Sequence, residues 1–325
     1  LEIKRGDASS KGKNVTLQDL LGMYFCERRT RSGERHEQVT VDGYTKRIER
    51  HFDDWLDLTL PEFAKVSPDV LIDRHKQIEV NSGAMEARNA IVMLNAIVGF
   101  GVIKYPVVLP FNPLRSITHR DANILAPIRA RNEVLQGDDF QKFFEGIQAF
   151  NEVTRDCYLL ILFTGMRSME ACSLLWEYVD LEKRTVLIPD TKNRRPLHVP
   201  LSRQSLEILQ RRKENAIEGS PFVFPGVRGR INKTGHVRIQ AEALKYRTGL
   251  KITVHGLRRT FITVGRKLKL HADVDRLTNH VDSSVSGRHY DQTGVEDLRQ
   301  PLQVICNEIE RLALGATAKV INLNQ

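Results

Sequence analysis

Arg167, Lys192, His255, Arg258, His280 and Tyr290 are the side chains of this chain whose types and spacing can do chemistry together. Arg167 lies in Thr164-Gly-Met-Arg-Ser-Met-Glu170, directly after the apolar run Tyr158-Leu-Leu-Ile-Leu-Phe163. Alone it reads more simply as an ion-pair partner than as a fixed anion ligand. Three later stretches change that reading: Thr191-Lys-Asn193, His255-Gly-Leu-Arg258, and Asn279-His280 followed by Arg288-His-Tyr290. Cutting a phosphodiester without a metal needs fixed cations for the developing charge, a nucleophile in line, and an acid for the departing oxygen. Arginine suits the first task, because its planar fork meets two oxygens and keeps its proton. Tyrosine, lysine and histidine can fill the other two. Together these residues make a phosphate site with a nucleophile.

The elements that must hold these residues follow from periodicity. The apolar run over 158–163 reads as a buried helix, and Gly165 turns the chain at its end. A short helix is expected from Ser168 to Leu175. The period then changes: Val179, Thr185–Ile188 and Leu197–Pro200 read as short strands, with the polar turn 189–196 as a hairpin tip bearing Lys192, Arg194 and Arg195. Helices are expected over Ser202–Lys213, His236–Tyr246, His255 to about Leu268, and Asp273–Leu277. A final amphipathic helix has Leu302, Ile305, Ile309 and Leu312 on one stripe, and 319–323 can add a strand. Of the seven tyrosines, Tyr158, Tyr178 and Tyr246 fall in helical or strand stretches and read as packing residues. Tyr290 alone follows the His280 segment and stands in an Arg-His-Tyr context. A phenol with a pKa near 10 needs adjacent cations or a base to attack at neutral pH.

At these residues the chain resembles the tyrosine recombinases, and among them the phage-type integrases. The resemblance is carried by TGMRSMEACSL (164–174), DTKNRRPLHVP (190–200), HGLRRTF (255–261), TNHV (278–281) and SGRHYDQT (286–293), in the family's order, and it covers about residues 133–293. Each motif alone is weak, and five in order are strong. The resemblance implies that Arg167 and Arg258 clamp the scissile phosphate and that Lys192 is the acid for the 5′-oxygen. It implies that His255 bonds the phosphate and accepts the tyrosine proton, that His280 donates to the other oxygen, and that Tyr290 is the nucleophile. Glu170, one turn past Arg167, would orient the site by pairing with one of its groups. Two departures stand out: Leu277-Thr-Asn-His280 replaces the family's Leu-Gly-His, and the gap from His280 to Tyr290 is one residue longer. Asparagine accepts the left-handed backbone that glycine supplies there.

The rest of the chain fits this expectation. It has 325 residues, a formal net charge of +9, 41% hydrophobic and 27% charged residues. That length suggests two domains, and the charge suits a polyanion. Aromatics at 7% disfavour a stacking platform for single strands, so duplex DNA is the expected partner. Residues 1–13 read as a linker and 14–104 as a helical domain, with apolar stripes Leu17, Leu20, Leu21, Tyr24, Phe25 and Tyr44, Ile48, Phe52, Trp55. Further helices are expected from Ser67-Pro-Asp, with Val70, Leu71 and His75 on one side, and over Ala84–Val102. The proline-containing stretch 105–132 reads as an extended basic linker, and 133–325 as the catalytic domain. The expected fold is mainly α with a small antiparallel sheet (α+β). Lys46, Arg47, Arg88, Arg129, Arg131, Arg194, Arg228 and Arg230 are candidate DNA contacts, each also readable as a solvated surface cation.

Four cysteines are too few for a disulfide framework and lack metal-ligand spacing. The histidines show no metal-binding pattern and no phosphate-cradling glycine loop is present, so neither metal, ATP nor another cofactor is expected. No unbroken apolar run reaches ~18 residues, so no membrane partner is expected. By resemblance the enzyme works as a tetramer on core sites of duplex DNA in the bacterial cytosol, alongside DNA-bending or directionality proteins. The first residue is Leu, which suggests a fragment of an integrase with an arm-binding domain. A chromosome-dimer resolvase and a type IB topoisomerase share the chemistry, and an inactive DNA-binding regulator is the non-enzymatic alternative.

Overall fold

The computed structural model describes residues 12–30, 33–119, 123–125, 132–189, 196–226, 235–279 and 294–315. The chain divides into two compact units, Leu1–Ala130 and Arg131–Gln325.

The first unit is helical among its described residues. Helix α1 (Leu17–Glu27) starts at Thr16, whose hydroxyl accepts from Asp19 N–H while the Asp19 carboxylate accepts from Thr16 N–H. That reciprocal box satisfies two donors a helix start leaves open. Helix α2 (Gln38–Phe52) runs into a 3₁₀ turn at Asp53–Trp55, and the short α3 (Leu60–Phe63) follows. Helix α4 (Pro68–Ser82) is capped by Ser67. Gly83 then turns the chain at φ 89° into α5 (Ala84–Lys104). The 21 residues of α5 are long and apolar enough, by length and composition alone, to cross a membrane, although Glu86, Arg88, Asn89 and Asn95 interrupt its apolar residues. Here Ala87, Ala90, Ile91, Leu94, Ile97 and Val98 of α5 are instead buried at the centre of the unit's core.

Two expectations for this unit are corrected. Val70 is exposed, while Leu71 and His75 are buried. Residues 105–118 are not an extended linker. Tyr105, Val108, Leu109, Leu114 and Ile117 belong to the core, and α6 (Arg115–Thr118) closes the segment. The prolines misled because their fixed φ also suits tight turns packed on a core. Asn112, buried at 7% exposure, bonds the Asn95 carbonyl at 3.0 Å and caps the turn through Leu114 N–H.

The second unit is built around α8. Helix α7 (Asp139–Gly146) precedes α8 (Glu152–Thr164), which Asn151 caps through Thr154 N–H. Cys157, Tyr158, Leu160, Ile161 and Leu162 of α8 are fully buried, so it is the central rod of this core. After α9 (Ser168–Cys172) come β1 (Val179–Asp180), β2 (Thr185–Ile188) and β3 (Leu197–Pro200), an antiparallel sheet in that order. Ile188 pairs with Leu197 at the rung nearest the hairpin tip. The remaining helices are α10 (Arg203–Glu214), α11 (Ala241–Thr248), α12 (Val254–Lys267), α13 (His271–Leu277) and α14 (Arg299–Ala313). The mainly α fold with a small antiparallel sheet is therefore present.

Here too there are corrections. His236 is not helical but lies in an extended bridge with Pro225, and its helix begins at Ala241. Tyr246 is 83% exposed and is no packing residue. Helix α14, by contrast, uses the stripe the sequence predicts, and it packs in cis: Leu302, Ile305, Cys306 and Ile309 enter this unit's own core, and Gln303, Asn307 and Glu310 bond Gln204 of α10. The hairpin tip 190–195, the segment leading to Tyr290 and the strand expected at 319–323 lie outside the described residues.

Candidate active site

The site begins at the end of α8. Gly165 takes the left-handed conformation at φ 67°, and its N–H donates to the Ile161 carbonyl at 2.9 Å. A side chain is excluded twice there. The backbone region is unfavourable to L-residues, and a Cβ would sit 2.6 Å from Phe261 Cδ1. The sharp reversal takes the chain straight from a rigid helix to Arg167, the N-cap of α9. Glu170, one turn on, accepts from Arg167 N–H at 2.7 Å through Oε2 and from Arg167 Nη1 at 2.7 Å through Oε1. The arginine side chain is 24% exposed and the glutamate 9%. The pairing expected of Glu170 is thus with Arg167, and it holds backbone and guanidinium together.

Arg258 comes from α12. Thr253 caps that helix through Gly256 N–H at 3.0 Å. A Cβ on Gly256 would meet the Glu133 carbonyl at 3.0 Å, so glycine lets the chain entering at Glu133 pass close to the helix start. His255 is exposed on the first turn, whereas Arg258 is 2% exposed. Buried Arg258 donates from Nη1 to the Gly165 carbonyl and from Nη2 to the Thr278 carbonyl, both at 2.6 Å. It therefore joins the chain reversal before Arg167 to the end of α13, next to the His280 segment. Burial first, and the like charge of Arg167 second, push its pKa down to about 10, against a smaller opposing pull from Glu170. Asn279 follows at φ 50°, the left-handed geometry expected where the family has glycine.

Of the residues singled out in the sequence, Arg167, Glu170 and Arg258 are brought together, with His255 one helical turn from Arg258. Lys192, His280 and Tyr290 lie outside the described residues, as do Arg129, Arg131, Arg194, Arg228 and Arg230. In the first unit Lys46 is exposed and Arg88 half-buried. Arg47 is committed to Glu86, with Nε at 2.7 Å and Nη2 at 3.0 Å from its two oxygens. That engagement departs from the open cation expected on this helix face. Its reason is that α2 packs on α5, where Glu86 also meets His51 Nε2 at 3.2 Å. Among the described residues no three His, Cys, Asp or Glu side chains group to hold a metal ion.

Sequence reasoning missed the acceptors of Arg258. They are main-chain carbonyls, which carry no residue-type signal. It also missed Thr260, whose buried hydroxyl accepts from Leu135 N–H at 3.0 Å and ties the start of this unit to α12.

Comparison with known proteins agrees with this geometry. The phage integrase family profile matches residues 133–293. Prophage integrase IntZ of Escherichia coli K12 is 25% identical over 221 residues, which is 66% of this chain and 54% of the relative. Tyrosine recombinase XerA of Pyrococcus horikoshii is 27% identical over 157 residues, 46% of this chain and 54% of the relative. The chain thus spans about half the length of these relatives. A lambda integrase tetramer bound to a Holliday junction has the same fold, with a TM-score of 0.65 at 15% identity, covering 90% of this chain and 84% of that one. The order of the motifs and the profile converge: residues 133–293 of this chain are a phage integrase family domain.

Proposed function

We propose that this chain is a site-specific DNA recombinase of the integrase type, cutting and rejoining duplex DNA through a 3′-phosphotyrosyl intermediate. The observation that carries the reading is the buried Arg258, held on carbonyls at the ends of α8 and α13 beside Arg167. A guanidinium has five N–H donors. Two of Arg258's are spent on carbonyls, which leaves the others for a phosphate. A site-facing cation that costs stability by its burial is worth keeping where a dianionic transition state must be met.

In the proposed reaction the Tyr290 oxygen attacks phosphorus in line and the bond to the 5′-oxygen breaks. Lys192 supplies the proton to that oxygen, and His255 takes the proton from the phenol. Arg167, Arg258 and His280 bind the non-bridging oxygens. Glu170 is a positioning residue for Arg167. The phosphotyrosyl bond conserves the energy needed for religation, so a 5′-hydroxyl from the partner site can reverse the step without ATP. Residues 14–118 would clasp the core site, with Lys46, Arg88, Arg129, Arg131, Arg194, Arg228 and Arg230 along the backbone. Arg47 would have to leave Glu86 to join them. The assembly is a homotetramer on two duplexes in the bacterial cytosol, with DNA-bending or directionality proteins as partners.

The test is a suicide substrate nicked near a core site. Wild type should form a covalent protein–DNA complex and Tyr290→Phe none. A complex with Tyr290→Phe, or none with wild type on any candidate site, would overturn the reading.

A further inference from the structure

On the two helices that flank Arg167 in sequence lie two cysteines that the chemistry above does not use. Cys157 sits in the middle of α8, and Cys172 is the last residue of α9. Their sulfurs are 3.7 Å apart, and the residues are 0% and 2% exposed. The segment they bracket, 157–172, contains Gly165, Arg167 and Glu170. The hydrogen bond from Cys157, with a second from Ile239 N–H, favours the Cys172 thiolate, while burial disfavours that of Cys157. One sulfur is therefore prepared to react and the other to resolve.

We infer that Cys157 and Cys172 form a reversible peroxide-sensitive disulfide that disarms the Arg167 site. The oxidant is a small hydroperoxide, able to enter where a bulky disulfide cannot. The Cys172 thiolate attacks the peroxide oxygen, giving a sulfenic acid and releasing hydroxide from hydrogen peroxide. Cys157 sulfur then attacks Cys172 sulfur, its proton leaves with the sulfenic oxygen, and water departs. In sum, two thiols and one peroxide become one disulfide and two waters. Because an S–S bond is about 2.05 Å long, the sulfurs must close by about 1.6 Å from their 3.7 Å separation. In a close-packed core that displacement passes to the neighbours. Helix α9 has five residues, and Arg167 is its N-cap. A shift near 1 Å at a catalytic group costs about a hundredfold in rate.

The experiment rests on the recombinase reading for its activity arm and on mass alone for its covalent arm. In a Cys26→Ser background, which removes the exposed thiol, the protein is treated with hydrogen peroxide, digested without reductant and weighed. Peptides bearing Cys157 and Cys172 should appear joined, and covalent DNA complex formation should fall about a hundredfold. Dithiothreitol should restore it, which oxidation of the nearby Met166 and Met169 would not allow. Cys172→Ala should cleave when reduced and ignore peroxide; if that variant does not fold, the dithiothreitol reversal decides. Absence of joined peptides overturns the proposal, as do joined peptides with undiminished cleavage. If the reduced protein never cleaves, the recombinase reading fails, and the joined peptides still decide the disulfide.

Discussion

Two arginines of the second unit are almost equally buried and are surrounded in opposite ways. Arg212 on α10 is 4% exposed, with Nη2 3.4 Å from Glu152 and Nε 3.2 Å from Asp156. Asp156 is itself fully buried and takes a further pair of contacts from Arg211, at 2.8 and 3.2 Å. That charge is compensated, and the cluster fastens α10 to α8. Arg258 is 2% exposed and donates to neutral carbonyls, with a second cation near enough to lower its pKa. Taking an ion out of water is costly unless it is paired. A buried cation left short of anions marks where an anion is to come from outside. Arg47 and Arg74 of the first unit are paired like Arg212, with Glu86 and Asp54.

The largest effect is expected where the compensated cluster is broken. Asp156→Ala leaves Arg212 buried without its closest carboxylate and should destabilise the fold by about 3–5 kcal/mol, read by denaturant unfolding. A loss under about 1 kcal/mol would mean that the two arginines are not differently held. Arg258→Met should behave conversely. Cleavage of the suicide substrate should fall about 10²–10³-fold, as on loss of one preorganised donor, while stability changes far less than for Asp156→Ala. Gly165→Ala is next. The φ of 67° and the Cβ position 2.6 Å from Phe261 should cost about 1–3 kcal/mol, with cleavage reduced because Arg167 moves with the turn.

The smallest effect is one of pH. The Arg258 pKa is lowered to about 10 in the fold from the higher value of a free arginine. Between those values the unfolded chain binds more protons, so this group's contribution to stability rises with pH. Its protonated form opposes folding below about pH 10 and that opposition fades above it. The stability of wild type relative to Arg258→Met should therefore improve as pH is raised through about 10. A relative decline would mean that Arg258 is compensated after all, and the contrast with Arg212 would fail.

The helices were legible wherever a stripe met a cap. Thr16 before α1 and Ser67-Pro68 before α4 start helices as their residue types require. Legibility failed at His236 and Tyr246, because a polar segment with scattered apolar residues has the same pattern in a strap as in a helix. It failed over 105–118, where proline marks a bend whether the chain is solvated or packed.

The sequence by itself determined the residue types proposed for the site and their order, because the chemistry admits few side chains and Gly165 announces the reversal before Arg167. It also settled that Asn279 can stand in a left-handed position. Only the tertiary structure decided that Arg258 lies buried between the Gly165 and Thr278 carbonyls, that Glu170 serves Arg167, that α14 packs in cis, and that Cys157 and Cys172 touch. Apart from the local Glu170–Arg167 pair, each of these depends on separate elements meeting around α8. Main-chain carbonyls and core contacts leave no mark in the order of side chains.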